Sequence, residues 1–331
     1  MAFSPTLYRS LTIDKTKCGS ADSTNFPALL YGTYDGTGGE PDLRSVGNGG
    51  KIAEASAYDL AFYSDSALTT LLNFERVAHN LTTGAVEYWI QIPTLDVDAD
   101  TVIYMAYNDA SATDQANQNA TWRSEFKAVW HMEESSGNVA DSTSNAHTGT
   151  NNGTTSVTGK VGKGRDFNGT DQNITSANHA DWEFGSGDFT VAFWAAHSST
   201  GGRIILARDA TTTFSPFIIG YDSSPNDLIY MTSNGSSWDI GSDKTFGAYT
   251  ADVLARYVVS RIGTAFKAYL NGVQTDTWTS SAAFVANSNA LSLGLGQTSA
   301  WLNGITDEVQ IVKGLGFTAS WVTADYNNQN S

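Results

Sequence analysis

Between Phe189 and Val312 the chain is cut into short apolar runs by turn residues. The runs are Phe189–Ala195, Arg203–Arg208, Phe217–Tyr221, Leu228–Thr232, Tyr257–Ile262, Ala265–Leu270, Ala290–Leu295 and Asp307–Val312. Each is strand-sized and bounded by Gly, Asn, Asp, Ser or Pro, and none has bundle-helix length. Asn271-Gly272 sits between AFKAYL and VQTDTW. Both residues tolerate positive φ, so this dipeptide predicts a two-residue hairpin. Many short strands at this spacing predict a sandwich or jelly roll.

The first third reads as β structure too. Strands are expected over 8–14, Asn25–Tyr31, Tyr58–Tyr63, Leu71–Asn80, Ala85–Ile92 and Thr101–Tyr107, with Pro27 near a strand start where its missing N–H is tolerated. Residues 109–127 are rich in Ala, Asp, Gln and Asn and predict a short helix or a linker. With 331 residues the chain is long enough for two cores. The expected division is an N-terminal β domain over 1–125 and a jelly roll over 127–331, the whole being all-β. Trp89, Trp130 and Trp194 lie in strand patterns and are expected in cores.

Charge excludes some partners. The formal net charge is −16, from 18 basic and 34 acidic residues, and no basic cluster stands out. Phosphate backbones and anionic bilayers need a basic surface, so neither nucleic acid nor a membrane is an expected partner. No segment reaches 18 consecutive apolar residues. MAFSPTLYRSLTID carries no basic region followed by an apolar run, so no signal peptide is expected. The single cysteine, Cys18, cannot form an intrachain disulfide and is expected as a buried apolar side chain.

Three segments carry a family resemblance: VWHMEESSGNVADSTSNAHTGT from Val129, GKVGKGRDFNGTDQNITSANHADWEFGSGDFTVAFWA from Gly159, and GITDEVQIVKGLGFTASWVTADYNNQ from Gly304. In order and spacing they resemble the concanavalin A-like, laminin-G-like jelly-roll family. The first third is similar to the small β domain of unknown function that often precedes such a jelly roll in bacterial and phage proteins. YRSLTIDKTK, NFPALL, YDLAFYSD, LTTGAVEYWIQIPTL, DTVIYMAYND and TWRSEFKAVWHM carry that likeness. The resemblance implies fold, but members bind glycans, contact proteins, hydrolyse polysaccharides or fill out surface assemblies, so it does not imply one function. One departure stands out: where the family has an acidic pair, this chain has Thr170-Asp171-Gln172, with an amide for the second carboxylate.

The resemblance implies a calcium site built from Asp141 and Asp307, with backbone carbonyls of the Asn145–His147 stretch completing the shell. Such oxygen donors suit calcium, while the competing reading has Asp141 capping a turn. Asp96, Asp98 and Asp100 start like an EF-hand loop, but Thr101 and Tyr107 stand where Gly and Glu belong, so a solvated hairpin connection is expected. Trp238, Trp278 and Trp301 lie in loop-like sequence and are candidate sugar platforms, with packing as the alternative.

Catalytic patterns are poor. Glu133-Glu134 and Asp307-Glu308 are adjacent and would point to opposite faces of a regular strand, unlike the acids of a glycosidase. The five histidines include no HExxH and no close pair, so no zinc site is expected, and His131 reads as a packed or turn residue. The expectation is a non-enzymatic virion surface protein, a decoration, fibre or tail component, that contacts other assembly proteins or copies of itself and adheres to host glycans. The alternatives are a secreted bacterial carbohydrate-binding module, at an extracellular or cell-surface location, and a glycoside hydrolase.

Overall fold

The computed structural model describes residues 3–198, 203–208, 214–221, 227–295 and 300–331. Contacts divide the chain into two compact units: Met1–Arg123 with Asn327–Gln329 and Ser331, and Ser124–Tyr326 with Asn330. Among the described residues, no helix is long and apolar enough to cross a membrane.

The first unit contains β1 (Leu7–Ile13), β2 (Ser23–Thr33), β3 (Ala61–Tyr63), β4 (Phe74–Asn80), β5 (Ala85–Leu95) and β6 (Thr101–Tyr107). They form two antiparallel three-stranded sheets, β1-β6-β3 and β2-β5-β4. Phe62 of the first sheet meets Phe74 and Tyr88 of the second edge-on, at centroid distances of 5.2 and 5.6 Å. The sheets thus close on one aromatic core as a sandwich. Pro27 lies on the edge strand β2, where its missing donor costs no ladder bond. Cys18 is buried, and burial raises its thiol pKa. The Asp96–Asp100 run links β5 to β6, strands of different sheets, so it is an inter-sheet connection and not a hairpin. Asp96 Oδ1 accepts from the Asp98 and Ala99 N–H groups, which spends it on the turn. The 109–127 stretch holds one helical turn, α1 (Gln118–Thr121).

The second unit holds fifteen described strands. They are β7 (Phe126–Trp130), β8 (Thr150–Asn152), β9 (Thr155–Thr158), β10 (Lys163–Asn168), β11 (Asn173–Ser176), β12 (Phe189–His197), β13 (Arg203–Arg208) and β14 (Phe217–Tyr221). The rest are β15 (Asp227–Thr232), β16 (Gly241–Ala248), β17 (Ala255–Ile262), β18 (Ala265–Leu270), β19 (Val273–Thr279), β20 (Leu291–Leu293) and β21 (Asn303–Lys313). An eight-stranded sheet runs β19-β18-β17-β12-β21-β10-β9, with β7 also paired to β21. A seven-stranded sheet runs β16-β15-β14-β13-β20-β11-β8. Alternate residues from both sheets, among them Phe193, Tyr257, Val309, Phe217, Tyr230 and Leu293, fill one core. Asn271 and Gly272 take φ of 50° and 80° and close the β18–β19 hairpin, as their sequence predicts.

The helix α2 (Ala319–Gln329) was not legible in the sequence. Its buried Trp321, Val322 and Ala324 are interleaved with Thr, Asp and Asn, which blurs any apolar stripe. Thr318 caps it, accepting from the Trp321 N–H. Tyr326 of this helix packs on Trp194 of β12, at 5.9 Å between centroids. Asp325 bonds Arg256 of β17 at 2.9 Å, and both side chains are buried. The Arg256 guanidinium also donates to the Glu308 carbonyl and the Gln310 amide oxygen. Within this unit, α2 therefore lies on the outer face of the eight-stranded sheet.

Candidate functional site

The outer face of the seven-stranded sheet is built differently. Ile174, Leu291 and Leu293 point into the core, so their neighbours Asn173, Thr175 and Ser292 point outward by strand alternation. The register aligns Thr150, Thr175, Ser292, Ala207, Ile218 and Met231 in one row across six strands. Beside its polar end, Asn152 pairs with Asn173. The Asn152 amide donates to Asn173 Oδ1 at 2.6 Å and lies 3.4 Å from Thr175 Oγ1. Thr150 and Asn152 are exposed, Thr175 is half-buried, and Asn173 and Ser292 are buried. The row thus grades from exposed amides and hydroxyls at the β8 edge to the buried Ala207 and Ile218, and no residue in it carries a charge. Each of these amides and hydroxyls can both donate and accept.

At one end of the sandwich a cleft of about 150 Å³ is lined by Trp182, Glu183, Phe184, Pro216, Phe284 and Val285, among others. It falls short of the roughly 300–1,000 Å³ of ordinary small-molecule sites. Nearby, the buried Arg208 reaches Asn178, Glu183 and the Asn287 carbonyl. Burial lowers its pKa against the opposing pull of Glu183.

The residues expected to hold calcium do not assemble a shell. Asp141 Oδ1 accepts from the Val129 and Thr143 N–H groups, and Oδ2 accepts from Thr143 Oγ1 and the His147 N–H. These four bonds occupy the carboxylate's acceptor sites and make it a turn cap. Asn145 turns its amide N–H groups to the Phe126 and Lys127 carbonyls. Asp307 is elsewhere: the register sets Val129 opposite Gln310, three residues or roughly 10 Å along β21 from Asp307. Asp307 Oδ2 instead accepts from the Lys160 and Val161 N–H groups. The donor set does not fit calcium in this arrangement. In the departing turn, Gln172 Oε1 accepts from the Asn168 N–H, and Asp171 accepts from the Asn168 amide.

Nor do Asp307 and Glu308 point to opposite faces. The strand is irregular there: its register with β12 shifts between Ala192 and Trp194, and Glu308 takes φ of 45°. Such a bulge can turn neighbouring side chains to one side. Glu308 bonds His131 Nδ1 at 2.8 Å, so His131 is a packed residue as expected. Asp307 and Glu308 are both wholly inaccessible. Burial first, and the Glu308 charge second, raise the Asp307 pKa well above the usual carboxylate value.

The three loop tryptophans separate. Trp278 lies on β19 and is only 8 % exposed; it stacks on Phe266 at 5.1 Å and 15° and belongs to the core. Its indole is therefore packing, because alternation along β19 turns it inward. Trp238 is half-buried and meets Phe214 edge-on at 5.6 Å. Trp301 is half-buried beside the core residue Leu302.

Two features escaped the sequence reading. The polar row was visible only as single alternating residues around Ile174, because the register that aligns it is set by long-range pairing. The histidines do contain a close pair: the His147 and His179 rings stand 4.4 Å apart, centroid to centroid, although they come from separate loops. The only local signal was the His179-Ala-Asp181-Trp182 string.

The family model described as the concanavalin A-like lectin/glucanases superfamily matches residues 168–316. No curated protein sequence matches the chain. Among solved structures, the binding domain of Paraclostridial Mosquitocidal Protein 1 aligns at 13% identity with a TM-score of 0.51, covering 61% of this chain and 52% of that one. The chain thus spans about half of that structure's length. Domain 4 of AbnA, an extracellular arabinanase from Geobacillus stearothermophilus, aligns at 20% identity and a TM-score of 0.48, covering 61% of this chain and 98% of that one. Trypanosoma rangeli sialidase aligns at 10% identity and 0.47, covering 72% and 42%. Likeness at such identities is likeness of fold. The architecture is an N-terminal β-sandwich followed by a concanavalin A-like, laminin-G-like jelly roll.

Proposed function

We propose that the second unit is a non-catalytic carbohydrate-binding module that takes neutral glycans on the outer face of its seven-stranded sheet. The observation that carries this reading is the uncharged, solvent-facing end of the row, the exposed Thr150 and Asn152 with the half-buried Thr175 beside them. A neutral sugar presents hydroxyl groups that both donate and accept, and uncharged amides and hydroxyls that do the same complement it. The lectin/glucanase description of the matching family model and the binding domain of the mosquitocidal protein, which has a like fold, support a binding role. The inaccessibility of Asp307 and Glu308 supports binding over hydrolysis, since paired acids must flank a scissile bond.

The setting we propose is extracellular, on a secreted protein or a virion surface. Mass spectrometry of purified particles against culture supernatant separates the two. The functional test is a glycan array probed with the full chain, with and without chelator. The expected result is binding to neutral glycans that chelator leaves unchanged, since the expected calcium ligands are spent on turns. Binding to no glycan, or binding that survives Asn152→Ala with Thr175→Ala, would overturn the reading.

A further inference from the structure

His147 lies late in the loop between β7 and β8, and His179 and Asp181 lie between β11 and β12. The second loop closes as one 3-10 turn, Ala180–Trp182, with His179 at its N-cap. Both imidazoles turn a nitrogen toward the same carboxylate oxygen. Asp181 Oδ2 is 2.8 Å from His147 Nε2 and 3.0 Å from His179 Nδ1. One ligand atom from each of the three residues can be chosen so that all lie within 4.8 Å of one another.

The surroundings hold this geometry from both sides. The His147 N–H donates to Asp141 and its carbonyl accepts from the Trp130 indole. The His147 ring packs on Trp182 at 4.7 Å, and the buried Trp182 is fixed by its own bond to the Ala177 carbonyl. Lys313 Nζ donates to the Ala180 carbonyl beneath the turn. Solvent reaches the cluster chiefly at His179, whose side chain is 51% exposed, while those of His147 and Asp181 are 13% and 19% exposed.

We propose that His147, His179 and Asp181 form a three-ligand site for a divalent transition-metal ion of the zinc class, with one position open to water. Two imidazoles and one carboxylate are the donors such ions prefer, whereas calcium and magnesium take all-oxygen shells. Four-coordinate zinc with bonds of about 2.0–2.1 Å sets its ligand atoms roughly 3.3 Å apart. The two nitrogen–oxygen contacts therefore need to open by only tenths of an ångström. The metal replaces the hydrogen bonds that now join the rings to Asp181, and it displaces the Asp181 N–H from His179 Nδ1, a 3.2 Å contact. The site is separate from the proposed glycan face and does not rest on it.

The test is calorimetric titration of the tag-free full chain, freed of metal by chelator, with zinc and in parallel with calcium and magnesium. Saturable binding of one zinc equivalent is expected, with no saturable heat from the other two. Cobalt added instead should give the visible absorption of a low-symmetry nitrogen/oxygen site. His179→Ala and Asp181→Asn should each weaken zinc by at least about tenfold and abolish the cobalt spectrum. Asp171→Asn, an exposed acid elsewhere, should change neither readout. His179 is exposed enough that its replacement keeps the fold, which the thermal transition verifies. No saturable zinc binding, or binding unchanged in both variants, overturns the site. Loss in His179→Ala alone reduces it to a single surface histidine and overturns it equally.

Discussion

The two sheets of the jelly roll share a core but treat their outer faces in opposite ways. On the eight-stranded sheet the outer face is covered within its own unit by α2 and holds charge: Arg256 is paired with Asp325 and bonded to Gln310. On the seven-stranded sheet the aligned row holds neutral amides, hydroxyls and small apolar residues, and its β8 end is open. Burying charge is costly unless it is paired, so the first face is specified by its partners and tolerates no removal of one. The open end of the second has few obligatory partners, so its residues can change with little effect on folding. Position in one fold thus separates residues that hold it from residues available to a ligand.

The largest expected effect comes from opening the closed face. Asp325→Ala leaves the Arg256 guanidinium buried without its carboxylate, and a broken buried pair costs about 3–5 kcal/mol. Denaturant unfolding should lose stability in that range, and a loss below about 1 kcal/mol would show the face to be wetter than its burial indicates. Next is Trp278→Ala. The indole fills core space against Phe266 and Tyr230, so its removal should cost about 3 kcal/mol. A variant that keeps its melting temperature and loses glycan binding would return Trp278 to the ligand surface.

A third effect depends on pH. The folded-state pKa of Asp307 is raised, chiefly by burial and then by Glu308. A raised folded pKa means the folded chain holds the proton more tightly. That contribution is complete below the unfolded value, near 3.8, and is lost as pH rises through the folded one. Asp307→Asn keeps an acceptor for the Lys160 and Val161 N–H groups and has no carboxyl to titrate. Its stability relative to the natural chain should be flat in strong acid. It should then improve by about 1.4 kcal/mol per pH unit from about pH 4 upward until the folded pKa is passed. Parallel stability curves for the two proteins would remove Asp307 from the pH response.

The contrast between faces also explains what could be read in advance. Strands such as Ala265–Leu270 and Thr101–Tyr107 are legible because apolar alternation and turn residues are local. Trp278 was misplaced because its neighbours Thr277 and Thr279 look like loop sequence, while β19 is an edge strand whose alternate residues face solvent. The Asp307–Glu308 bulge was hidden because a register shift belongs to a pair of strands, and one strand's sequence carries only half of it. Asn152 and Asn173, like His147 and His179, meet only after the chain has closed on itself. Their chemistry was in plain view and their proximity was not.

The smallest effect on stability is the most informative about the open face. Asn152 is exposed on the edge strand β8, and its amide bonds Asn173 Oδ1 across the register. Replacing it with alanine removes the hydrogen bond to the buried Asn173 Oδ1 and no packing, so unfolding should shift by about 1 kcal/mol at most. If the row receives a glycan, the same replacement removes an amide that donates and accepts at the ligand's edge. A lost hydrogen bond of about 1 kcal/mol lowers affinity about fivefold. Calorimetric titration with the strongest array ligand, beside denaturant unfolding of the same sample, measures both quantities. Weakened binding with unchanged stability would establish the amide row as a recognition surface. Unchanged binding would move the glycan elsewhere on the jelly roll, with the half-buried Trp238 and Trp301 as the next positions to replace.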